Sequence, residues 1–143
     1  MIREMTKKDL DTVYAIENRC FSSGWSRDTF EKSLASEACR FLVSEENGKI
    51  SGYAGIYLAP EEAELFSIAC DPSEQRKGIA SGLMDEIFHI LQIEGAKKLF
   101  LEVRSSNEAA KKLYRKYGFK EIGIRKEYYQ KPTEDAVLMA AFV

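Results

Sequence analysis

The sequence predicts an α/β (α+β) fold in which about four helices flank a mixed, mostly antiparallel sheet of six to seven strands. One observation is Asn47-Gly48, which separates the apolar runs 40–45 and 50–58. Asn-Gly between such runs is the strongest short-range signal of a β-hairpin. The other observation is a strand-length apolar run at 65–70, followed by a helical pattern and a second apolar run at 98–103. This order predicts a parallel strand pair within the sheet.

The N-terminal elements follow from local signals. Residues 2–5 suit a short edge strand, and Thr6 precedes a helical pattern that runs to about Cys20. Ser26 is predicted to cap a second helix. Gly52 and Gly55 lie inside the second hairpin strand, where glycine indicates bulges or a close neighbour.

The C-terminal elements are predicted in the same way. Apolar residues at helical spacing begin at Ile79, and this helix is expected to end near Gly95. Ser105 and Glu108 have the spacing of a capping box, which predicts that they open the last helix. Gly118 is expected just beyond the end of that helix. Closing strands are expected at 119–127 and 135–143.

Composition limits the class of protein. The chain has 143 residues, of which 45% are hydrophobic and 31% are charged, and its net charge is −2. These values predict one soluble domain, residues 1–143. Nonspecific nucleic-acid binding requires a basic surface and is therefore not expected. The N-terminus is charged, and no apolar run reaches about 18 residues, so neither a signal peptide nor a membrane span is expected.

The cysteines and the histidine indicate neither a disulfide framework nor a zinc site. Cys20, Cys39 and Cys70 are odd in number and far apart, and His89 is the single histidine. Reduced thiols in the cytoplasm are the simplest interpretation. No metal requirement is expected.

The central motif is the basic, glycine-containing segment 75–80, Gln-Arg-Lys-Gly-Ile-Ala, between the 65–70 strand and the following helix. Unpaired N–H groups at a helix start favour an anion, and Gly78 lets a phosphate approach the backbone. Arg76 and Lys77 add positive charge. The pattern indicates a pyrophosphate site, although a tight turn at Gly78 beside two solvated charges fits the spacing nearly as well.

Segment 75–80 resembles the Q/R-x-x-G-x-G/A signature of GNAT N-acetyltransferases, which grips the pyrophosphate of acetyl-CoA. Leu-Glu-Val-Arg at 101–104, Ala-Lys-Lys-Leu-Tyr at 110–114 and Tyr-Gly-Phe at 117–119 fit the same family in the same order. The resemblance covers nearly the whole chain and implies the GNAT fold, with acetyl-CoA as cosubstrate. It implies cofactor contacts at Ile68, Ala69, Cys70, Arg76, Lys77, Gly78, Ile79, Ala80, Ser81 and Asn107. For Asn107, a helix N-cap is the alternative or additional role.

Trp25-Ser26 and Tyr128-Tyr129 extend the resemblance to the RimI type within this family. That type acetylates the N-terminal alanine of a small-subunit ribosomal protein, which would then be the partner of this chain. The resemblance implies that Trp25, Tyr128 and Tyr129 line the acceptor groove, and partial burial in the core is the alternative. Where the family often has Phe-Pro, this chain has Ser23-Gly24, which makes the loop less rigid.

Glu102 is the one carboxylate within the apolar run 99–103. A central strand seldom contains a carboxylate without a reason. On the residues alone, a strand-end Glu that pairs with Arg104 or faces water is as good an explanation as catalysis. The resemblance implies that Glu102 is the general base.

Tyr114 lies on the apolar stripe of the last helix, where spacing alone favours a core tyrosine. The resemblance instead implies that Tyr114 is the general acid for the departing thiolate. Tyr117 is expected to pack against Phe119.

The acceptor amine must be neutral to attack a thioester. A free α-amino group has a pKa of roughly 7.7–8.0 and lysine one of about 10.4. This difference favours an N-terminal amine slightly. Acetylation of lysine or small amines, and a CoA-binding module without catalysis, are the alternatives.

Overall fold

The computed structural model describes residues 1–22 and 24–143, which form one seven-stranded sheet with four α-helices. The loop residue Ser23 lies outside the described residues. The strands are β1 (Ile2–Glu4), β2 (Cys39–Glu46), β3 (Lys49–Leu58), β4 (Glu62–Cys70), β5 (Lys98–Arg104), β6 (Lys120–Tyr129) and β7 (Glu134–Phe142). The helices are α1 (Leu10–Cys20), α2 (Arg27–Leu34), α3 (Ile79–Glu94) and α4 (Glu108–Lys116). The predicted fold class is confirmed.

The strand order is β1-β2-β3-β4-β5-β7-β6. Only β4 and β5 pair in parallel, and every other neighbouring pair is antiparallel. The hairpin between β2 and β3 turns at Asn47 and Gly48, whose φ angles of 53° and 78° are the positive values that such a turn requires. The last strand in the sequence inserts between β5 and β6, so β6 forms an edge of the sheet.

The predicted helix signals agree with the structure except at α4. The Ser26 hydroxyl accepts a hydrogen bond from the Thr29 N–H, which confirms the cap of α2. The expected capping box of Ser105 and Glu108 is wrong. The side chain of Asn107 caps α4 by accepting from the Ala110 N–H at 3.1 Å. The Ser105 hydroxyl is 3.0 Å from Glu134 on another strand, and this long-range bond removes it from the cap.

The glycines of β3 mark a bulge and close packing, as predicted. The pairing of β3 with β4 shifts register between Gly55 and Ile56. A Cβ atom on Gly55 would lie 2.5 Å from the ring of Phe66, and one on Gly52 would lie 2.8 Å from the side chain of Ile79. The sheet backbone therefore closely approaches side chains at both positions.

Each face of the sheet has its own core. Helices α3 and α4 cover one face with side chains that include Leu83, Ile87 and Tyr114, packed on Leu65 and Leu101. Helices α1 and α2 cover the other face only over β2, β3 and β4, through side chains such as Val13, Ile16 and Phe30. The remainder of that second face forms an open groove of about 370 Å³, whose lining includes Tyr57, Glu64, Phe100, Glu102 and Arg125.

Candidate active site

Strands β4 and β5 separate at their C-terminal halves and leave a gap between them. They pair from Glu62 with Lys98 to Leu65 with Leu101, and no further. Beyond that point β4 continues along β3 to Cys70, while β5 continues along β7 to Arg104. The edge of β4 that faces β5 therefore has no strand partner after Leu65. Because alternate residues of a strand direct N–H and C=O groups to one side, this edge can pair with an extended ligand.

The predicted cofactor residues Ile68, Ala69 and Cys70 all lie on this separated part of β4. The Cys70 carbonyl accepts a hydrogen bond from the Cys20 thiol at 3.3 Å. The Cys70 thiol is 3.4 Å from the Glu74 carbonyl. Burial, followed by the charge of Asp71, raises the pKa of the Cys70 thiol. Cys70 is therefore held as a neutral thiol, and its backbone is the part that is suited to ligand binding.

The turn after β4 presents backbone N–H groups at the start of α3. Gly78 occupies the N-cap with a φ angle of 76°, and Arg76 also has a positive φ, 67°. Residues 75–78 are exposed, and Ile79, Ala80 and Ser81 form the half-buried first turn. A Cβ atom on Gly78 would have no protein atom within 4 Å. The space beside these N–H groups is thus large enough for a phosphate, which helix N-termini favour.

The two predicted cations of this turn differ in their surroundings. Lys77 forms an ion pair with Glu74 at 2.6 Å, and Glu74 also contacts Lys49 at 2.8 Å. Hydrogen bonds from Lys49 and Lys77 lower the pKa of Glu74, which keeps it ionised. Arg76 has no ion pair with any residue of 1–22 or 24–143. Arg76 is therefore the cation of this turn that is available to an anionic ligand.

The N-termini of α3 and α4 lie at the same edge of the sheet, because each helix follows one of the two parallel strands. The positive ends of both helix dipoles therefore meet at the open end of the gap. Asn107 caps α4 there. The Ser81 carbonyl in α3 accepts a hydrogen bond at 2.9 Å from the hydroxyl of Tyr117, the residue directly after α4, which ties the end of α4 to α3. Tyr117 stacks on Phe88 and packs against the core cluster that contains Phe119.

Glu102 lies in the groove on the opposite face of the sheet from α3 and α4. Its strand neighbours Leu101 and Val103 are buried in the α3/α4 core, so alternation directs Glu102 to the other side. Its side chain is 21% exposed, and Arg125 of β6 contacts it at 3.2 Å. Arg125 reaches Glu102 across β7, since the register pairs Glu102 with Leu138 and Arg125 with Ala136. The suggested partner Arg104 instead pairs with Glu134 at 3.2 Å.

Tyr114 lies on the other side of the same gap. Its ring belongs to the core and packs against Phe119 at 5.7 Å. Its hydroxyl has no hydrogen bond to any described residue, yet no described side chain has a buried, unpaired polar atom. The hydroxyl must therefore reach an accessible space. Burial, followed by the charge of Tyr129, raises the pKa of Tyr114, so the phenol keeps its proton.

Tyr129 at the end of β6 lies near both Glu102 and Tyr114. Burial and then the charge of Glu102 raise the pKa of Tyr129 to about 12. A hydrogen bond to Glu102 raises the pKa of the neighbouring Tyr128, whose ring meets that of Tyr129 edge-on at 5.1 Å. The structure thus brings Glu102, Tyr114, Tyr128 and Tyr129 together at the gap, although they come from three different elements.

Comparisons with known proteins identify the family of this chain. The family model described as "Acetyltransferase (GNAT) family" matches residues 10–119. The [ribosomal protein bS18]-alanine N-acetyltransferase of Escherichia coli is 38% identical over 143 residues, which cover 97% of this chain and 95% of that protein. The protein of the same name from Haemophilus influenzae is 37% identical, with coverage of 100% and 99%. The chain belongs to the GNAT acetyltransferase family.

The crystal structure of the Escherichia coli ribosomal-protein alanine N-acetyltransferase superimposes on this GNAT chain with a TM-score of 0.93. The identity in that comparison is 36%, and coverage is 100% of this chain and 93% of the other. The sequence-based assignments of family, fold and N-acetyltransferase class are confirmed. No helix among the described residues is long and apolar enough to cross a membrane. Within the same residues, no three His, Cys, Asp or Glu side chains form a group that could hold a metal ion.

Trp25, in the loop between α1 and α2 of this GNAT chain, contacts both β4 and α1. The Trp25 ring stacks on Phe66 of β4 at 4.7 Å, and its backbone N–H donates to Glu17 at 2.8 Å. Glu17 is buried, and it also accepts hydrogen bonds from the hydroxyls of Tyr53 and Ser67. Half-burial of Trp25 agrees with the partial-core alternative.

Glu17, Arg104 and Arg125 contact the site residues, and sequence reasoning assigned them no role in the site. Glu17 falls in the apolar register of α1, and a carboxylate at such a position of a helix indicates that it is buried. Arg104 is two residues beyond Glu102, on the same face of the same strand. Nothing in the spacing indicates Arg125, because its contact with Glu102 depends on the order of the last three strands.

Proposed function

We propose that this chain transfers the acetyl group of acetyl-CoA to the N-terminal α-amino group of a protein, and that its acceptor is the N-terminal alanine of ribosomal protein bS18. The observation on which the proposal depends is the gap between β4 and β5, which begins where the two strands stop pairing after Leu65 and Leu101. The phosphate-binding turn and Tyr114 lie on the face of α3 and α4, and Glu102 lies on the other. The names of the two relatives at 37% and 38% identity support the choice of acceptor.

Acetyl-CoA would bind along the unpaired edge of β4. The backbone of Ile68, Ala69 and Cys70 would pair with its pantetheine arm, and the N–H groups at 76–81 would hold its diphosphate. Arg76 and Lys77 add charge, and the amide of Asn107 would contact the cofactor from α4. When bound, the cofactor supplies an activated acyl group as a thioester. The described residues fit this group, since the strand edge is unpaired and the space beside Gly78 is open.

The acceptor would enter from the opposite face, between Trp25 and the Tyr128-Tyr129 pair. Glu102 would accept a proton from the α-amino group. The neutral nitrogen would attack the acyl carbon, the C–N bond would form as the C–S bond breaks, and the nitrogen would release its remaining extra proton to solvent. Tyr114 would donate its proton to the sulfur, and its raised pKa keeps that proton available. We propose that the whole function resides in one domain, residues 1–143.

Two arguments concern the kind of acceptor amine and whether the acetyl group is transferred directly. An α-amino group with a pKa of roughly 7.7–8.0 loses its proton more easily than lysine at about 10.4, by roughly 3.5 kcal/mol at 1.36 kcal/mol per unit. The raised pKa of the Cys70 thiol argues against an acyl-cysteine intermediate, because the thiolate is the nucleophile. Direct transfer to an N-terminal amine is therefore favoured.

The test compares acetylation of a peptide with the N-terminal sequence of bS18, the same peptide with a blocked N-terminus, free lysine and a polyamine. The proposal predicts turnover of the first alone, and faster turnover of a small amine would overturn it. Glu102→Gln and Tyr114→Phe should each lower kcat by about 10²–10⁴-fold. Glu121→Gln is the control, since Glu121 lies on β6 and pairs with Arg115 at 3.3 Å. Binding of CoA without turnover of any amine would favour a CoA-binding module.

A further inference from the structure

Three successive carbonyl groups in the loop between β6 and β7 accept hydrogen bonds from other parts of the chain. Arg104 of β5 donates to the carbonyls of Gln130 at 2.7 Å and Pro132 at 3.0 Å. Between them, the Lys131 carbonyl accepts from the Ser22 hydroxyl, in the loop after α1, at 2.6 Å. This loop begins directly after Tyr129, so the hydrogen bonds from Arg104 hold the chain next to the Tyr128-Tyr129 pair.

Arg104 also contacts Tyr129 itself and, through Glu134, is connected to the turn before α4. Its guanidinium lies over the Tyr129 ring, 4.7 Å from the ring centre. It pairs with Glu134 at 3.2 Å, and the other oxygen of Glu134 accepts from the Ser106 N–H at 2.6 Å and the Ser105 hydroxyl at 3.0 Å. Arg104 thus connects β5 to the loop 130–133 and, through Glu134, to the turn that leads into α4.

This arrangement differs from an ordinary surface ion pair. The side chains of Arg104 and Glu134 are only 23% and 15% exposed. Charge-assisted hydrogen bonds of a planar guanidinium are directional, and the same group can stack on an aromatic ring. An isolated solvated pair would fix neither neighbour.

Few other described contacts hold the side chain of Tyr129 in place. Its hydroxyl makes no hydrogen bond with any residue of 1–22 or 24–143, and its described ring contacts are Arg104 and Tyr128. Glu102 and Tyr114 are close enough for their charges to couple with its own. A shift of the Tyr129 ring would therefore change the shape of the gap between the two proposed catalytic groups.

We propose that Arg104 is a positioning residue, which holds Tyr129 and the loop 130–133 in the geometry that the acceptor N-terminus requires. The inference rests on the proposed function, because it assigns Tyr129 to the acceptor side of the gap. Arg104 itself touches neither acetyl group nor amine. Its contribution should appear in acceptor binding and leave binding of the acetyl donor unchanged.

The variants are Arg104→Met, which keeps much of the length and removes every donor, and Arg104→Lys, which keeps the charge but cannot span two carbonyls. Arg115→Met is the matched control, since Arg115 forms an exposed pair with Glu121. For Arg104→Met, KM for the acceptor peptide should rise between about 10-fold and 100-fold, while KM for acetyl-CoA stays within about twofold. Arg104→Lys should show the same pattern, and the control should match the wild type.

A double-mutant cycle separates positioning from a general structural role. If Arg104 acts through Tyr129, Arg104→Met should add little to the rise in acceptor KM of Tyr129→Leu. Full additivity of the two effects would overturn the inference. So would parallel loss of kcat and both KM values, together with a lowered thermal midpoint, since this pattern indicates general destabilisation.

Hydrogen exchange tests the same contact without catalysis. Amides at 127–135 should exchange faster in Arg104→Met than in the wild type, whereas amides of α1 should not change. Unchanged exchange at 127–135 would overturn the inference even if the enzyme is active. If the wild type acetylates no peptide while exchange responds as expected, the proposed function fails and the tether by Arg104 stands.

Discussion

Replacement of Gly78 by alanine tests the proposed diphosphate site against a control that the fold itself provides. Gly78 at the start of α3 and Gly95 at its end have nearly equal φ angles, 76° and 79°. A Cβ atom at either position would meet no protein atom within 4 Å. Gly78→Ala and Gly95→Ala therefore impose the same backbone strain and no clash within the protein.

The strain predicts an equal loss of stability in both variants. A left-handed conformation destabilises a residue with a Cβ atom by about 1–2 kcal/mol. An unfolding entropy of about 2.1 cal/mol/K per residue gives roughly 0.3 kcal/mol/K for 143 residues. Each variant should then lower Tm by roughly 3–7 °C, which differential scanning calorimetry can measure.

Only Gly78→Ala should weaken binding of CoA. Its methyl group would stand where the diphosphate meets the N–H groups of α3, and loss of one hydrogen bond to a charged group is worth about 1.5–3 kcal/mol. Isothermal titration should show Kd raised by roughly 10-fold to 150-fold for Gly78→Ala, and unchanged for Gly95→Ala. Equal Kd values for Gly78→Ala and the wild type would refute a diphosphate at this turn. An equal rise in both variants would attribute the effect to strain alone.

Two further predictions concern stability. Gly55→Ala should lower the free energy of unfolding by about 1–3 kcal/mol in urea titrations, because its methyl group would lie 2.5 Å from Phe66. Gly123→Ala is the control and should change that free energy far less, since its nearest contact would be 3.4 Å away, at Leu138. Equal effects of the two substitutions would contradict the packing argument. Hydrogen bonds from Ser106 lower the pKa of Glu134 from 4.5 to about 2. The ionised carboxylate therefore contributes fully to the free energy of unfolding above pH about 4.5, and this contribution is lost as pH falls towards 2. The difference in unfolding free energy between wild type and Glu134→Gln should shrink over that interval, and a difference independent of pH would contradict it.

The sequence alone determined those features that depend on neighbouring residues. Asn47-Gly48 specified the hairpin because few other residue pairs accept positive φ at both positions. Gly78 and Gly95 delimited α3 for the same reason. The apolar run 99–103 marked Glu102 as an outlier before any partner was known. Sterics and periodicity act within a few residues of the chain, and a sequence therefore displays them directly.

The tertiary structure decided which groups meet. Insertion of β7 between β5 and β6 brings Arg125 to Glu102, so the neighbouring Arg104 is free to hold the loop after Tyr129. Glu134 draws Ser105 away from the cap of α4 and leaves that role to Asn107. The gap itself arises because β4 and β5 stop pairing at Leu65 and Leu101 while each continues along another strand. Contacts of this kind join residues far apart in the chain, and their free energies depend on strand order and register, which no local pattern specifies.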